Sequence, residues 1–390
     1  MTEIDSPLIA IVGAGEQGKM TIALVGSELP DARFHVFDRS ADALAKVQSL
    51  HPDSVVKTTR TDVLKDGLPG LAGADLVVNF AGPFFAGANA VARAAIDARV
   101  PYVDICDDAE GTRAVLGLAD EAEAAGIGLV VSAGITPGIS NVLARRLVDQ
   151  DDTVDGIRVV WVIRDEDPGG LAPLRHMLHM AVVPAPVWID GKATTSAGYS
   201  PKTASLHVLP EPVGEITAFD TSHPEPVTLP RAFPHLKYAS CQGALLPQWS
   251  NDMFAMLGKI GFGDPSLTVE VGGQIVEPAE VLWKLLWARY DSRPGLTRRT
   301  LTLVQVQGLR GDEVVSTGTV YDDHSMVRTT GLGAASAVLQ LLRDPAPAGA
   351  WGTEVLDPIP TLETFERLAS SIGAVPHGVR FDTALSGTAS

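Results

Sequence analysis

The chain has 390 residues, Lys+Arg 30 against Asp+Glu 47 for a formal net charge of −17, and 45% hydrophobic residues. That length suits two domains and permits a sizeable core, while an acidic chain without a basic block argues against nucleic acid or an anionic membrane as partner. Cys106 and Cys241, its 2 cysteines, form no CxxC, which argues against a disulfide scaffold, a zinc ribbon or a redox dithiol. In chain order, Leu8–Val12 reads as an apolar strand, followed by glycines and a helical stretch to Leu29. Arg33–Asp38 alternates as a strand, and Ser40 caps a helix with Leu44, Val47 and Leu50 on one face. A weaker strand at Val55–Thr59 precedes strands at Asp75–Ala81, Tyr102–Cys106 and Gly128–Ser132. Alanine-rich helices at Ala88–Arg99 and Glu110–Ala125 separate them. Near-continuous apolar strands alternating with helices specify a Rossmann-type, doubly wound parallel sheet of the α/β class.

After Gly138 the pattern changes. Gly156–Arg164 reads as one long strand. Hairpins are marked by Asp190-Gly191, by Gly272-Gly273 and by the turn through Arg310-Gly311-Asp312. One strong helix intervenes, with Pro278 in its first turn. The proline-rich stretches Pro184–Pro186 and Pro210–Pro230 read as extended loops near a sheet edge. The expectation is a dinucleotide-binding domain over 1–137, an α+β mixed-sheet domain for substrate and dimerisation over 138–330, and a helical segment over 331–390 returning to the first. Glu3 and Asp5 stand where a signal peptide carries Lys or Arg, and no apolar run reaches the roughly 18 residues of a membrane span, so a cytoplasmic protein without a membrane partner is expected.

The chemistry-bearing motif is Gly13-Ala14-Gly15-Glu16-Gln17-Gly18, directly after a strand and opening a helix. The first glycine makes a tight turn, the second lets backbone approach a pyrophosphate, and the third lets helix and strand pack closely. The helix N-terminus then offers N–H groups and a positive dipole end to the phosphates. Asp38, at the end of the second strand, is placed to bond a ribose. The same segment nearly spells a P-loop, but Met20 occupies the position that Ser or Thr needs for magnesium. A methyltransferase remains an alternative on this fold. Asp38 favours NAD over NADP by repelling a 2′-phosphate; Arg39 and Ser40 could serve that phosphate if Asp38 turned aside.

Three further segments, DLVVNFAGPF at 75–84, YVDICDD at 102–108 and SAGITPGISNVLA at 132–144, complete a series with the glycine loop. Together they resemble the saccharopine dehydrogenase family, which includes saccharopine reductases and lysine 6-dehydrogenase. Thr221–Tyr238, Val269–Leu286 and Thr329–Leu342 extend the likeness more thinly. The resemblance implies an NAD(P)-dependent oxidoreductase acting at a C–N bond of an amino acid or polyamine, with a mixed-sheet second domain and a homodimer. Many relatives carry Asp before the Pro-Gly of the third segment; Thr136 stands there in this chain, so no carboxylate role transfers to it.

Hydride transfer at an imine needs a carbon placed against the nicotinamide, a cation for the substrate carboxylate and a proton moved at nitrogen. Ala81, Gly82, Pro83 and Thr136 follow strand ends, where the cofactor is expected. Asp107, past another strand, could hold a substrate amine, and Asp108 could do so or cap the following helix. Phe84 could wall the nicotinamide or plug the core. His223 could pass a proton and Arg231 could grip a carboxylate, with a surface loop as the bland alternative for both and for Glu225. His176 and His179 could share a helix face toward a metal, but without a third ligand no metal is expected. Cys106 reads as a buried small residue. Two other functions stay open: reduction of another polarised C=C or C=O bond, and a dinucleotide-binding regulator without turnover.

Overall fold

The computed structural model describes residues 6–82, 84–166, 171–264, 266–291, 300–373 and 379–383. The chain begins with β1 (Leu8–Val12), α1 (Glu16–Glu28), β2 (Arg33–Asp38), α2 (Ala41–Leu50), β3 (Val56–Arg60), α3 (Val63–Asp66) and β4 (Leu76–Asn79). It continues with α4 (Ala88–Ala98), β5 (Tyr102–Asp104), α5 (Ala109–Leu116), α6 (Ala119–Ala125), β6 (Gly128–Val131) and α7 (Ile139–Gln150). Next come β7 (Gly156–Arg164), α8 (Leu171–Met180), β8 (Ala185–Ile189), β9 (Lys192–Ser196), β10 (Ser205–Leu209), β11 (Gly214–Asp220), α9 (Glu225–Ala232) and β12 (Tyr238–Leu246). The remaining elements are α10 (Ser250–Leu257), β13 (Val269–Val271), β14 (Gln274–Val276), α11 (Pro278–Asp291), β15 (Thr302–Arg310), β16 (Glu313–Asp322), α12 (Met326–Arg343), β17 (Gly349–Gly352), α13 (Pro358–Ser371) and β18 (Val379–Thr383). The described residues of 1–150, 231–233 and 327–378 form one compact unit, and those of 151–230, 234–326 and 379–390 a second.

The first unit is built on a parallel seven-stranded sheet in the order β17-β6-β5-β4-β1-β2-β3. Its central strands are apolar on both faces: Ile9, Ile11, Val77 and Val130 are all buried, as a sheet covered on two sides requires. Ser40 caps α2 as expected, its hydroxyl accepting from Ala43 N. The single helix expected over Glu110–Ala125 is instead two, because Gly117 closes α5 and buried Leu118 turns the chain before α6. Strand order reverses between β1 and β4, the switch point where such sheets open a crevice beyond their carboxyl ends.

The second unit carries a nine-stranded mixed sheet, β10-β11-β12-β7-β15-β16-β18, with the β8–β9 hairpin attached to β12. The long strand at Gly156–Arg164 and all three expected hairpins are present. Asp190-Gly191 and Gly272-Gly273 each take two consecutive positive φ angles, the geometry that two-residue hairpin turns demand. The proline-rich stretch 210–230 departs from the extended loop expected of it. It holds strand β11 and then helix α9, because Pro226 occupies the first turn, where a missing N–H costs nothing, and Val227 N and Thr228 N bond to Pro224 O. Pro186 likewise lies inside β8. Within the segment after 330, β17 extends the parallel sheet beside β6, and β18 pairs with β16.

Candidate functional site

In the first unit, the glycine loop joins β1 to α1 at the switch point. A Cβ on Gly13, whose φ is +104°, would lie 2.9 Å from the Phe80 carbonyl carbon, and one on Gly18 would lie 2.3 Å from Gly13 O. Gly15 has nothing within 4 Å on its Cβ side. Two glycines thus pack the loop against β4 and α1, and the third leaves open space where a pyrophosphate can approach. Gly15 also N-caps α1 without a side-chain capping bond, so the first-turn N–H groups keep their anion-binding role. Glu16 pairs with Lys19 at 2.5 Å on the surface, and Gln17 keeps a buried Oε1 without a hydrogen-bond partner among the described residues. The loop therefore fits a dinucleotide.

Asp38 is tied to this loop: Oδ2 accepts from Ala14 N and Oδ1 from Ser40 N, both at 2.7 Å. Arg39 beside it is exposed, its carbonyl accepting from Arg60 Nε. Across the switch point, Ala81 N donates to Asn79 Oδ1 and Gly82 N to Phe80 O; Pro83 lies outside the described residues. Thr136 sits half-buried in the turn after β6. Phe84 is buried. Asp107 is half-buried past β5. Asp108 occupies the N-cap position of α5, but its carboxylate accepts from Phe85 N at 3.3 Å and makes no cap bond. Cys106 is buried, and burial together with the Asp104 carboxylate pushes its thiol pKa well up, which leaves it a poor nucleophile.

Beneath these loops lies a buried polar cluster that the sequence reading did not assign: Asn79, Asp104 and Ser132 at or just past the carboxyl ends of β4, β5 and β6, joined by the hydroxyl of Tyr102, which opens β5. The available signal was a polar residue closing each of three otherwise apolar strands. Arg231 is exposed in the last turn of α9 and lines a cleft of about 630 Å³ with Arg145, Asp149, Trp351 and Glu354. That cleft lies at edge strand β17, with β6, β5 and β4 between it and β1. The first unit does not bring Arg231 to the glycine loop.

In the second unit, His223 is buried beside Glu225, Nδ1 lying 3.7 Å from Oε2. The indole of Trp161 stacks on the imidazole with centroids 5.5 Å apart, and His176 of α8 stands 5.3 Å away. Burial first, and His176 second, hold the His223 pKa well below the ordinary histidine value, so the ring is neutral near pH 7. His223 Nδ1 and Trp161 Nε1 have no hydrogen-bond partner among the described residues, and orphaned buried polar atoms mark places where a ligand or water can be accommodated. His223, Glu225 and Cys241 bring their ligand atoms within 4.8 Å of one another, a set that could hold a metal ion. His179, three residues from His176, lies on the same helix.

This architecture, a six-strand Rossmann order extended by one further parallel strand with a dinucleotide-shaped loop at its switch point, defines an NAD(P)-binding oxidoreductase. Residues 9–130 match the family described as "Saccharopine dehydrogenase NADP binding domain". Carboxynorspermidine synthase of Vibrio cholerae is 28% identical over 322 residues, covering 74% of this chain and 75% of that protein. Its namesake from Vibrio alginolyticus is 27% identical over 321 residues, with the same coverage. Among solved structures, apo saccharopine dehydrogenase (L-Glu forming) from Saccharomyces cerevisiae has a TM-score of 0.65 at 16% identity, covering 97% of this chain and 100% of that one. At that identity it speaks for the fold. Residues 9–130 thus form an NAD(P)-binding domain of saccharopine dehydrogenase type, and the chain is similar along about three-quarters of its length to oxidoreductase relatives of that kind. Among the described residues, no helix is long and apolar enough to cross a membrane.

Proposed function

We propose that the chain catalyses hydride transfer at a C–N bond of an amino-acid- or polyamine-like substrate, reducing an imine or oxidising the corresponding amine. The observation that carries this reading is the alignment, along three-quarters of the chain, with two proteins named for a carboxylated polyamine. A bound nicotinamide supplies or accepts the hydride. The protein's own residues bind, orient and move a proton. Gly13, Gly15, Glu16, Gln17 and Gly18 hold the pyrophosphate, and Asp38 with Arg39 meets the adenosine ribose. Ala81, Gly82 and Thr136 flank the nicotinamide half. We lean to NAD, because a carboxylate anchored at the end of β2 repels a 2′-phosphate.

The assignments in each unit are separate proposals. In the first, Asp107 attracts a substrate ammonium. In the second, His223 is neutral and accepts a proton from the substrate nitrogen in the oxidative direction, returning one in reduction. The first unit is proposed as the cofactor domain and the second as the substrate domain, in a homodimer whose mass sedimentation of the full chain would give. The functional test follows reduced-nicotinamide absorbance with amino acids, polyamines and keto-acid/amine pairs. Turnover with an amine or imine partner is expected. Tight dinucleotide binding without turnover across that panel would replace the enzyme with a regulator, and turnover only of C=C or C=O compounds would replace the C–N reading.

A further inference from the structure

The first unit contains a hydrogen-bonded relay that no cofactor contact accounts for. It runs across the carboxyl ends of three adjacent strands. Ala81 N donates to Asn79 Oδ1 at 3.0 Å, Asn79 Nδ2 donates to Tyr102 Oη at 3.1 Å, and Tyr102 Oη donates to Asp104 Oδ2 at 2.8 Å. The other carboxylate oxygen, Asp104 Oδ1, accepts from Cys106 N at 2.9 Å and Ser132 N at 2.7 Å. Asp104 O accepts from Ala133 N. Asn79, Tyr102, Asp104 and Ser132 are each fully buried, and Ser132 holds a left-handed φ of 70°. Burying a carboxylate is costly unless it is fully bonded, and among the described residues no cation pairs with this one. A charge placed there without a counter-ion is a poor device for stability, so its use lies in what it orients.

What it orients is the peptide after β4. The Phe80–Ala81 peptide is the surface that Gly13 lies against: a Gly13 Cβ would meet Phe80 C at 2.9 Å and Ala81 N at 3.1 Å. Asn79 fixes that peptide through Ala81 N, Tyr102 fixes the Asn79 amide, and Asp104 fixes the Tyr102 hydroxyl. We propose that Asp104 is a positioning residue for the cofactor: through Tyr102 and Asn79 it sets the peptide that supports the glycine loop, and through Ser132 it sets the neighbouring turn after β6. The proposal rests on the reading that this loop binds a nicotinamide dinucleotide.

The relay has a direction, and the direction depends on charge. Ionised Asp104 accepts from Tyr102, which leaves the phenol oxygen to accept from Asn79. With Oδ1 taken by two amides, a proton adds at Oδ2, and the carboxylic acid must then donate to a phenol oxygen that already accepts from Asn79. Tyr102 O–H loses its acceptor and the relay loses its order. Burial pushes the Asp104 pKa up to about 6, against the lowering by its three hydrogen bonds, which brings this change into an accessible pH range. The groups that face it are Tyr102 of its own strand and Cys106 of the following loop, both with pKa values raised by burial and by Asp104 itself; Asp108 and Asp107 act on Cys106 beyond. Neighbouring β4 and the turn after β6 contribute Asn79 and Ser132, and α5 contributes Thr112, bonded to Cys106 and Ser132; none of these titrates.

The experiment measures NADH affinity of the full chain by nicotinamide fluorescence between pH 5 and 8, alongside melting temperature, for wild type, Asp104→Asn and Tyr102→Phe. The NADH pyrophosphate does not titrate in that range. Wild type should lose affinity as pH falls through about 6. At pH 8 Asp104→Asn should bind about tenfold more weakly, the worth of one well-placed buried hydrogen bond. It should show no inflection, and its melting temperature should be held or raised because a buried charge is gone. Tyr102→Phe, which removes only the hydroxyl, should also weaken binding at pH 8 and serves if the first variant does not fold. Wild-type affinity in both variants, or an inflection that persists in Asp104→Asn, overturns the proposal. A wild type that binds NADH and NADPH at no pH overturns the cofactor reading itself, which is a different result.

Discussion

His223 Nδ1 lies 3.7 Å from Glu225 Oε2, with both side chains buried and the Trp161 indole stacked on the imidazole. A neutral imidazole has a free ring nitrogen with which to take a proton from a substrate nitrogen. His223→Gln preserves size and a polar end but cannot serve as a base at neutral pH. We expect kcat to fall by about a hundredfold or more with KM changed little, the ordinary worth of a general base. Steady-state kinetics on the substrate found in the panel checks it. A fall confined to KM would make His223 a binding group.

The same burial has a consequence for stability. His223 is held well below the ordinary value of 6.5 in the folded chain. Below that pH the unfolded chain takes up a proton that the folded chain refuses, so stability falls as pH drops, by at most about 1.4 kcal/mol per pH unit for one proton. Asp104 acts oppositely: its folded value of about 6 exceeds 3.8, so its contribution to stability grows as pH falls from about 6 toward 3.8. Melting temperature measured from pH 7 to 5 should decline less steeply in His223→Gln than in wild type. An identical slope would mean that His223 protonates freely in the folded chain.

The glycine loop gives a steric prediction. Gly13→Ala puts a methyl 2.9 Å from the Phe80 carbonyl carbon in a residue at φ +104°. Overpacking of this kind costs about 1–3 kcal/mol, and the strained backbone adds to it. Melting temperature should fall and dinucleotide affinity with it. Gly15→Ala meets nothing within 4 Å of the protein, so it should leave stability nearly unchanged while weakening dinucleotide binding, a split that a bare structural turn would not show.

The first unit was more legible than the second for a physical reason. Parallel strands buried on both faces write themselves as apolar runs, and Gly13, Gly15 and Gly18 mark a loop whose sterics allow little else. Turn residues also reveal themselves: Asp190-Gly191 and Gly272-Gly273 carry the positive φ angles that their hairpins use. Pro226 misled because proline is compatible with a helix's first turn as well as with an extended loop, and Pro224 O, just ahead of α9, organises that turn; Pro230 lies inside the helix against the residue's usual preference. The Asn79–Tyr102–Asp104 relay was illegible because its bonds cross strands, and the sequence gives no register between them. Trp161 joins His223 across 62 residues' worth of chain (161 to 223), through packing that no local pattern encodes.

Arg231 supplies a test of position against residue type. Its guanidinium is exposed at the β17 edge, in the cleft with Arg145 and Trp351, separated from β1 by three strands. A grip on the reacting substrate's carboxylate would make Arg231→Ala raise KM strongly, since a bidentate charged pair contributes about 1.5–3 kcal/mol. From its place in the sheet we expect kcat and KM within about threefold of wild type, below the loss of one such pair. A KM increase of tenfold or more would place Arg231 in the binding site, as its residue type suggests.

Cofactor preference follows from Asp38. Both of its oxygens are already held, one by Ala14 N and one by Ser40 N at 2.7 Å each, so the carboxylate cannot swing away without breaking the glycine loop's own bond. A fixed negative charge at the ribose end of β2 disfavours a 2′-phosphate. The exposed side chain of Arg39 is the neighbouring cation that would favour one. Wild type should therefore bind NADH more tightly than NADPH, by about tenfold for an effect near 1.4 kcal/mol. Asp38→Asn keeps an acceptor for one of the two amides and removes the charge, so it should narrow the gap mainly by improving NADPH. Titrating both reduced cofactors into both proteins measures it. A wild-type preference for NADPH would show that Arg39 outweighs Asp38, and the Asn substitution would then change the ratio little.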